Sequence, residues 1–261
     1  MLKSLCAAVG VNALESSNTV GYNTANVVGG SMNLLCVSWE TVGNENGKAT
    51  LNDVMDTSVL TSYSADGETA GDYVNTWNMA TGNWGPKYFY VDQAVAWEDP
   101  SYADTWMDDN FTPCNPEVEP GSAFWLYANS NIASFNFRGQ VMSGTTGYTL
   151  TAGGMNLCAN PYPSDLNLND KTQVTLTGKT SYSADGETAG DYINTWNLAT
   201  GNWGPKYFYV NQAVAWEDPS YADTWMDDNF TPVASTAIPA GTGFWYYANG
   251  AVTFAFINPV D

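Results

Sequence analysis

Histidine is missing from all 261 residues, and arginine occurs once, at Arg138. Without histidine there is no Ser-His-Asp or Cys-His nucleophile system and no common zinc site. One arginine and six lysines leave few groups to hold phosphate, and no glycine-rich phosphate loop follows a strand and opens a helix. Acidic residues outnumber basic ones 27 to 7, a formal charge of −20, which repels nucleic acid and anionic membranes. No apolar run approaches the roughly 18 residues of a membrane span. The four cysteines show no CxxC spacing, which removes that redox motif.

Aromatic residues, in contrast, reach 14% of the chain, with 11 tryptophans. Disordered chains are depleted in such residues, so this one is expected to pack well. Eight of the tryptophans lie in a segment that occurs twice. Residues 62–113 and 181–232 differ at three of 52 positions: Val74/Ile193, Met79/Leu198 and Asp92/Asn211. Weaker matches flank them. Gly30–Leu34 resembles Gly153–Leu157, Gly121–Asn129 resembles Gly241–Asn249, and Gly21-Tyr22 resembles Gly147-Tyr148. The chain is therefore read as two units, 14–140 and 141–261, each large enough for its own core. Residues 1–13 have a lysine, a short apolar stretch and the small-residue site Val11-Asn12-Ala13, as in a signal peptide. A secreted location at the cell surface or beyond is the expectation.

The periodicity is that of strands. Val252, Phe254 and Phe256 share one face of a strand. Asn249-Gly250 before them signals a hairpin with Phe244–Ala248, repeated in the first unit by Phe124–Ala128 and Ile132–Phe137. A second hairpin is expected from Tyr73–Asn78 with Lys87–Val91, and its twin from Tyr192–Asn197 with Lys206–Val210. Asp99-Pro100 suits the start of a short helix running to Met107. Many short strands between turns predict an all-β protein of two tandem β-sandwich domains, with at most one short helix each. The strand edges Gly21–Val28 and Thr253–Ile257 are candidates for pairing between molecules.

Secretion of residues 14–261 would leave Cys36, Cys114 and Cys158, and an oxidising compartment would then favour one disulfide, Cys36–Cys114 within the first unit. Cys36 and Cys158 both come close after a Met-Asn-Leu run, Met32–Leu34 and Met155–Leu157, so they are expected at equivalent places.

The second unit reads Gly153-Gly154-Met155-Asn156-Leu157-Cys158-Ala159-Asn160-Pro161-Tyr162-Pro163-Ser164, then Asp191–Asn197, then Ile238–Trp245. This order resembles a β-rich module of secreted and surface bacterial proteins, with the pattern GWNLxxNPYPS followed by a GxGFW strand. The resemblance implies an extracellular β-sandwich without known catalytic residues. The first unit departs from it, with Ser38-Trp39-Glu40 where the second has Asn160–Pro163.

Three kinds of site are candidates. The loop tryptophans Trp84, Trp97 and Trp106, with their twins Trp203, Trp216 and Trp225, offer flat faces for a protein partner or a glycan; burial in the core is the competing reading, favoured for Trp77 and Trp196. The carboxylates Asp104, Asp108 and Asp109, with Asp223, Asp227 and Asp228, offer hard oxygens for calcium, as do Asp66, Glu68 and Asp72, although no EF-hand spacing is present. No other cofactor is expected. Paired Glu98-Asp99 and Glu217-Asp218 fit a glycoside hydrolase only if they face a cleft. With catalytic chemistry this sparse, the expected function is structural, not enzymatic: a secreted protein that assembles with itself into a filament, sheath or surface layer. The alternative is an adhesin that binds extracellular polysaccharide through its loop tryptophans.

Overall fold

The computed structural model describes residues 20–40, 49–63, 71–95, 99–182, 190–214, 218–235 and 237–259. The expected signal peptide lies outside them. The protein is all-β, in antiparallel sheets.

Ten strands form the first unit: β1 Val20–Val27, β2 Ser31–Cys36, β3 Ala49–Thr50, β4 Tyr73–Asn78, β5 Asn83–Val91, β6 Thr105–Met107, β7 Pro113–Cys114, β8 Glu117–Val118, β9 Ala123–Ala128 and β10 Ile132–Gln140. Eight form the second: β11 Thr145–Thr149, β12 Gly154–Ala159, β13 Val174–Thr177, β14 Tyr192–Asn197, β15 Asn202–Val210, β16 Thr224–Asp227, β17 Gly243–Ala248 and β18 Thr253–Ile257. The main sheet of the first unit has the order β2-β9-β4-β5-β6-β7, and that of the second β12-β17-β14-β15-β16. A smaller layer covers one face of each: β1-β10 in the first unit, β11-β18-β13 in the second. Every pairing between these strands stays within one unit.

Strand alternation explains the layers. In β9, Phe124, Leu126 and Ala128 enter the core with Phe135 and Phe137 of β10, while Trp125 faces the other way. In β17, Phe244, Tyr246 and Ala248 do the same against Phe254 and Phe256. The predicted shared face of Val252, Phe254 and Phe256 is fully buried. A one-turn α-helix, Leu51–Val54, buries Leu51 and Val54 and is closed by a capping box between Thr50 and Asp53.

Several expectations are corrected. The two Asn-turn hairpins are not hairpins: β9 and β10 lie in different sheets, as do β17 and β18. The buried side chains of Asp72 and Asp191 hold Asn129 and Asn249 at these corners, so the chain crosses from one layer to the other. The hairpin β4–β5 and its twin β14–β15 do form, each with a bulge before the tryptophan. The segment after Asp99 makes only a 3-10 turn, Pro100–Tyr102. Asp104 at φ 51° then ends helical geometry, and β6 begins. Thr253–Ile257 is no edge, because β18 is paired on both sides. Gly21-Tyr22 and Gly147-Tyr148 are not equivalent either. Tyr22 stands opposite Arg138 and faces outward, whereas Tyr148 stands opposite Phe254 and is half-buried, packed against the core.

The two units meet through the outer faces of their main sheets. Trp77 of the first packs edge-to-face on Trp245 of the second at 4.7 Å, and Trp125 of the first packs on Trp196 of the second at 4.8 Å. Trp77 is the twin of Trp196, and Trp125 of Trp245, so each contact is the mirror of the other. Met79 packs against the core of the second unit, and its twin Leu198 against the core of the first. Hydrogen bonds also cross the seam: Cys36 N–H donates to the Gly241 carbonyl at 3.0 Å, and the Ser38 hydroxyl to the Asn160 carbonyl at 2.9 Å. At Gly243 the approach is so close that a Cβ would sit 2.7 Å from Ala123 Cβ. A contact in which residue i meets j and j meets i is a pseudo-two-fold, isologous interface, and such an interface closes on itself.

Candidate functional site

The structure sorts the candidate tryptophans into three places. Trp106 and Trp225 are corrected from surface ligand to core: they lie on β6 and β16, point inward, and are among the most fully buried side chains. Neither can stack on a ligand. Trp84 and Trp203 are 52% and 57% exposed, each braced edge-on by Trp77 or Trp196 at 5.3 and 5.2 Å. Trp97 and Trp216 lie outside the described residues. Trp77 and Trp196 sit in the seam between units rather than in either core.

A larger exposed aromatic face was not foreseen. Phe111 and Phe230 are 52% and 49% exposed. Both occupy the loop Asp-Asp-Asn-Phe-Thr at φ 57°, a left-handed conformation that is an outlier for a bulky side chain. The Asp108 side chain holds this loop by accepting from Asn110 N–H and Thr112 N–H at 2.8 and 2.9 Å, and Asp227 does the same in the twin. Phe111 stacks on Phe89 at 6.2 Å and touches Tyr63 at 5.5 Å; Phe230 meets Phe208 and Tyr182 at 5.2 and 6.0 Å. The face continues across the sheet in register. Phe89 opposes Tyr73, which stacks on Tyr127 at 5.0 Å with Lys87 Nζ 4.2 Å from its ring centre. Tyr192, Tyr247 and Lys206 repeat this in the second unit, at 5.0 and 3.8 Å. The signal in the sequence was Phe111 itself, an apolar residue alone in an acidic turn.

The candidate calcium ligands hold turns and loops. Asp104 and Asp223 accept from Tyr90 and Tyr209 hydroxyls at 3.1 and 2.6 Å. Asp108 and Asp227 hold the Phe loops, Asp109 accepts from Lys87 N–H at 3.4 Å, and Asp228 is exposed. Among the described residues no three His, Cys, Asp or Glu side chains gather in a metal-binding group. Of the other candidate group, Asp66 and Glu68 lie outside the described residues. So do Glu98 and Glu217. Their neighbours Asp99 and Asp218 cap 3-10 turns, and the hydroxyls and N–H groups of Ser101 and Ser220 hold both carboxyls below the usual range.

The expected Cys36–Cys114 disulfide is absent, since Cys36, Cys114 and Cys158 are all free. The sheet order explains it. β2 and β7 are opposite edges of a six-stranded sheet, and five spacings of about 4.8 Å exceed the Cα separation of roughly 4.4–6.8 Å that a disulfide spans. Cys36 and Cys158 are not equivalent: Cys36 opposes Ala123, but Cys158 opposes Phe244, the twin of Phe124. A one-residue offset turns Cys36 to the seam and leaves Cys158 in the core. Burial pushes the Cys36 thiol up to about 11 and Cys158 higher still. At pH 8 roughly 0.1% of Cys36 is then thiolate. Ellman's reagent at pH 8 is accordingly expected to modify half-buried Cys114 first, and Cys36 and Cys158 only on unfolding. Prompt native labelling of Cys36, located by peptide mapping, would contradict its placement.

No helix among the described residues is long and apolar enough to cross a membrane. No known protein family, curated protein or solved structure matches this chain.

Proposed function

We propose that the chain is an extracellular structural building block that associates with further copies of itself through its two exposed aromatic faces. The observation that carries this reading is the strained display of Phe111 and Phe230. A left-handed backbone holding an exposed phenyl group costs on the order of 1 kcal/mol that Gly or Asn would largely avoid. Such a cost at two equivalent surface positions fits a contact role. Aromatic residues are also the usual anchors of protein interfaces.

The pseudo-two-fold changes how a polymer would grow. The tryptophan seam closes within one chain, so its repetition cannot extend a filament. A second contact, face to face at Phe111 and Phe230, would alternate with the internal two-fold and produce an open chain.

The test is the double variant Phe111→Asn/Phe230→Asn, because Asn tolerates positive φ. Wild-type protein is expected to form filaments or sheets by electron microscopy and concentration-dependent species in sedimentation. The variant is expected to stay monomeric with a melting temperature within about 3 °C of wild type. Wild type that sediments as a single monomer at high concentration refutes the proposal.

A second reading, glycan binding, is favoured by Trp84 and Trp203, whose exposed indoles are held rigidly by their neighbours. Loss of glycan-array binding in Trp84→Ala/Trp203→Ala, with assembly intact, would select it.

A further inference from the structure

An open groove of about 1040 Å³ lies on the first unit. Its floor is the outer face of the β1-β10 ribbon. Tyr22 stands there directly opposite Arg138, the chain's one arginine, and is 74% exposed. The next outward pair is Thr24 and Asn136, joined by a hydrogen bond of 2.8 Å. Asn52, Asp53 and Asp56 form the wall. Asn52 Oδ1 is buried and has no hydrogen-bond partner, and among the described residues none forms an ion pair or hydrogen bond with the Arg138 side chain.

The second unit supplies an internal control. Its ribbon carries Gly147 opposite Ala255 and Thr149 opposite Thr253 on the corresponding face. The third strand β13 lies beside β18, where the first unit has the 3-10 turn Thr57–Val59 and a single bridge from Met55 to Phe137. The same scaffold thus has a blank face in one unit and a furnished groove in the other. Unlike the tryptophan surfaces, this feature is not duplicated.

We infer that the groove binds one neutral sugar unit of a polysaccharide per chain. An exposed tyrosine offers a flat face to the C–H side of a pyranose ring. Hydroxyl groups both donate and accept, which suits a lining that mixes an arginine donor, carboxylate acceptors and amides. The volume of about 1040 Å³ slightly exceeds the roughly 300–1,000 Å³ of ordinary ligand sites, which leaves room for neighbouring units of the same polysaccharide. Acidic sugars are disfavoured by Asp53, Asp56 and the net charge of −20. The inference is independent of self-association, since none of these residues belongs to the Phe111 or Phe230 faces.

The experiment is calorimetric titration with neutral oligosaccharides of glucose, mannose, galactose and N-acetylglucosamine, with an oligogalacturonate and glycerol as comparison ligands. At least one neutral oligosaccharide is expected to bind with one equivalent per chain. Tyr22→Ala and Arg138→Gln, both at exposed positions, are each expected to weaken it at least tenfold without moving the melting temperature. Trp84→Ala/Trp203→Ala and the monomeric Phe variant are expected to bind as wild type does. The assignment is overturned by no neutral binding at about 10 mM ligand, by two equivalents per chain, by tighter binding of oligogalacturonate, by glycerol binding equally well, or by full affinity in both groove variants.

Discussion

Asp191→Ala is expected to unfold the second unit's corner at a cost of roughly 3–5 kcal/mol, a loss of about 10 °C in melting temperature. Its side chain is fully buried and accepts four hydrogen bonds: from Thr180 N–H at 3.0 Å, Tyr246 hydroxyl at 2.9 Å, Asn249 N–H at 2.8 Å and Asn249 Nδ2 at 3.1 Å. Alanine removes every acceptor and leaves the donors buried, which costs more than the hydrogen bonds contribute when made. The corner that carries the chain from β17 to β18 would lose its anchor. The first unit provides the comparison. Asp72 accepts from Thr61 N–H, Asn129 N–H and Asn129 Nδ2, but Leu126 stands where Tyr246 does. Asp72→Ala is therefore expected to cost about 1 kcal/mol less than Asp191→Ala. Urea unfolding of both variants measures the difference. Equal small losses, below about 1 kcal/mol each, would show that the carboxyl groups do not hold these corners.

Trp245→Ala is expected to separate the unfolding of the two units. The ring touches Trp77 at 4.7 Å and Trp84 at 6.1 Å, both in the first unit. Its mirror Trp125 touches Trp196 at 4.8 Å and Trp203 at 6.1 Å. Truncating a packed tryptophan to alanine typically costs roughly 3–5 kcal/mol, and here most of it falls on the seam rather than on either core. Calorimetry of wild type is expected to give one transition, because each unit covers the other's apolar face. Trp245→Ala should give two, the lower by about 10 °C, and Trp125→Ala should match it within error because the contacts are mirrored. One unshifted transition in both variants would mean that the seam contributes little to stability.

The seam uses part of the duplicated sequence. Trp77, Trp84 and Met79 of one copy, with Trp196, Trp203 and Leu198 of the other, fill the same contact from both sides. Trp77 and Trp196 each meet the flanking tryptophan of the other unit, Trp245 or Trp125, so matching residues on both sides make the two-fold contact self-complementary. Outside the seam the copies have room to differ, as the groove at Tyr22 and Arg138 shows.

Strand content, the β4–β5 hairpin and the inward face of β18 were legible because they rest on short-range alternation of apolar and polar residues. The asparagine corners were misread because Asn129 and Asn249 look like hairpin turns until buried Asp72 and Asp191 are placed beneath them, 57 and 58 residues away in the chain. Trp106 and Trp84 show the same limit at the candidate site: both sit in polar surroundings in sequence, yet one is core and the other exposed. Only the pairing of β6 with β5 directs Trp106 inward.

Local order along the chain was enough to settle an acidic, histidine-free, strand-built protein of two related units, since composition and periodicity need no knowledge of distant neighbours. Which tryptophan faces water, which cysteine faces the seam and that the two units close on each other were decided by tertiary pairing. The reason is geometric: a strand has two faces, and a single residue of register, fixed by a partner far away in sequence, determines which of them each side chain takes.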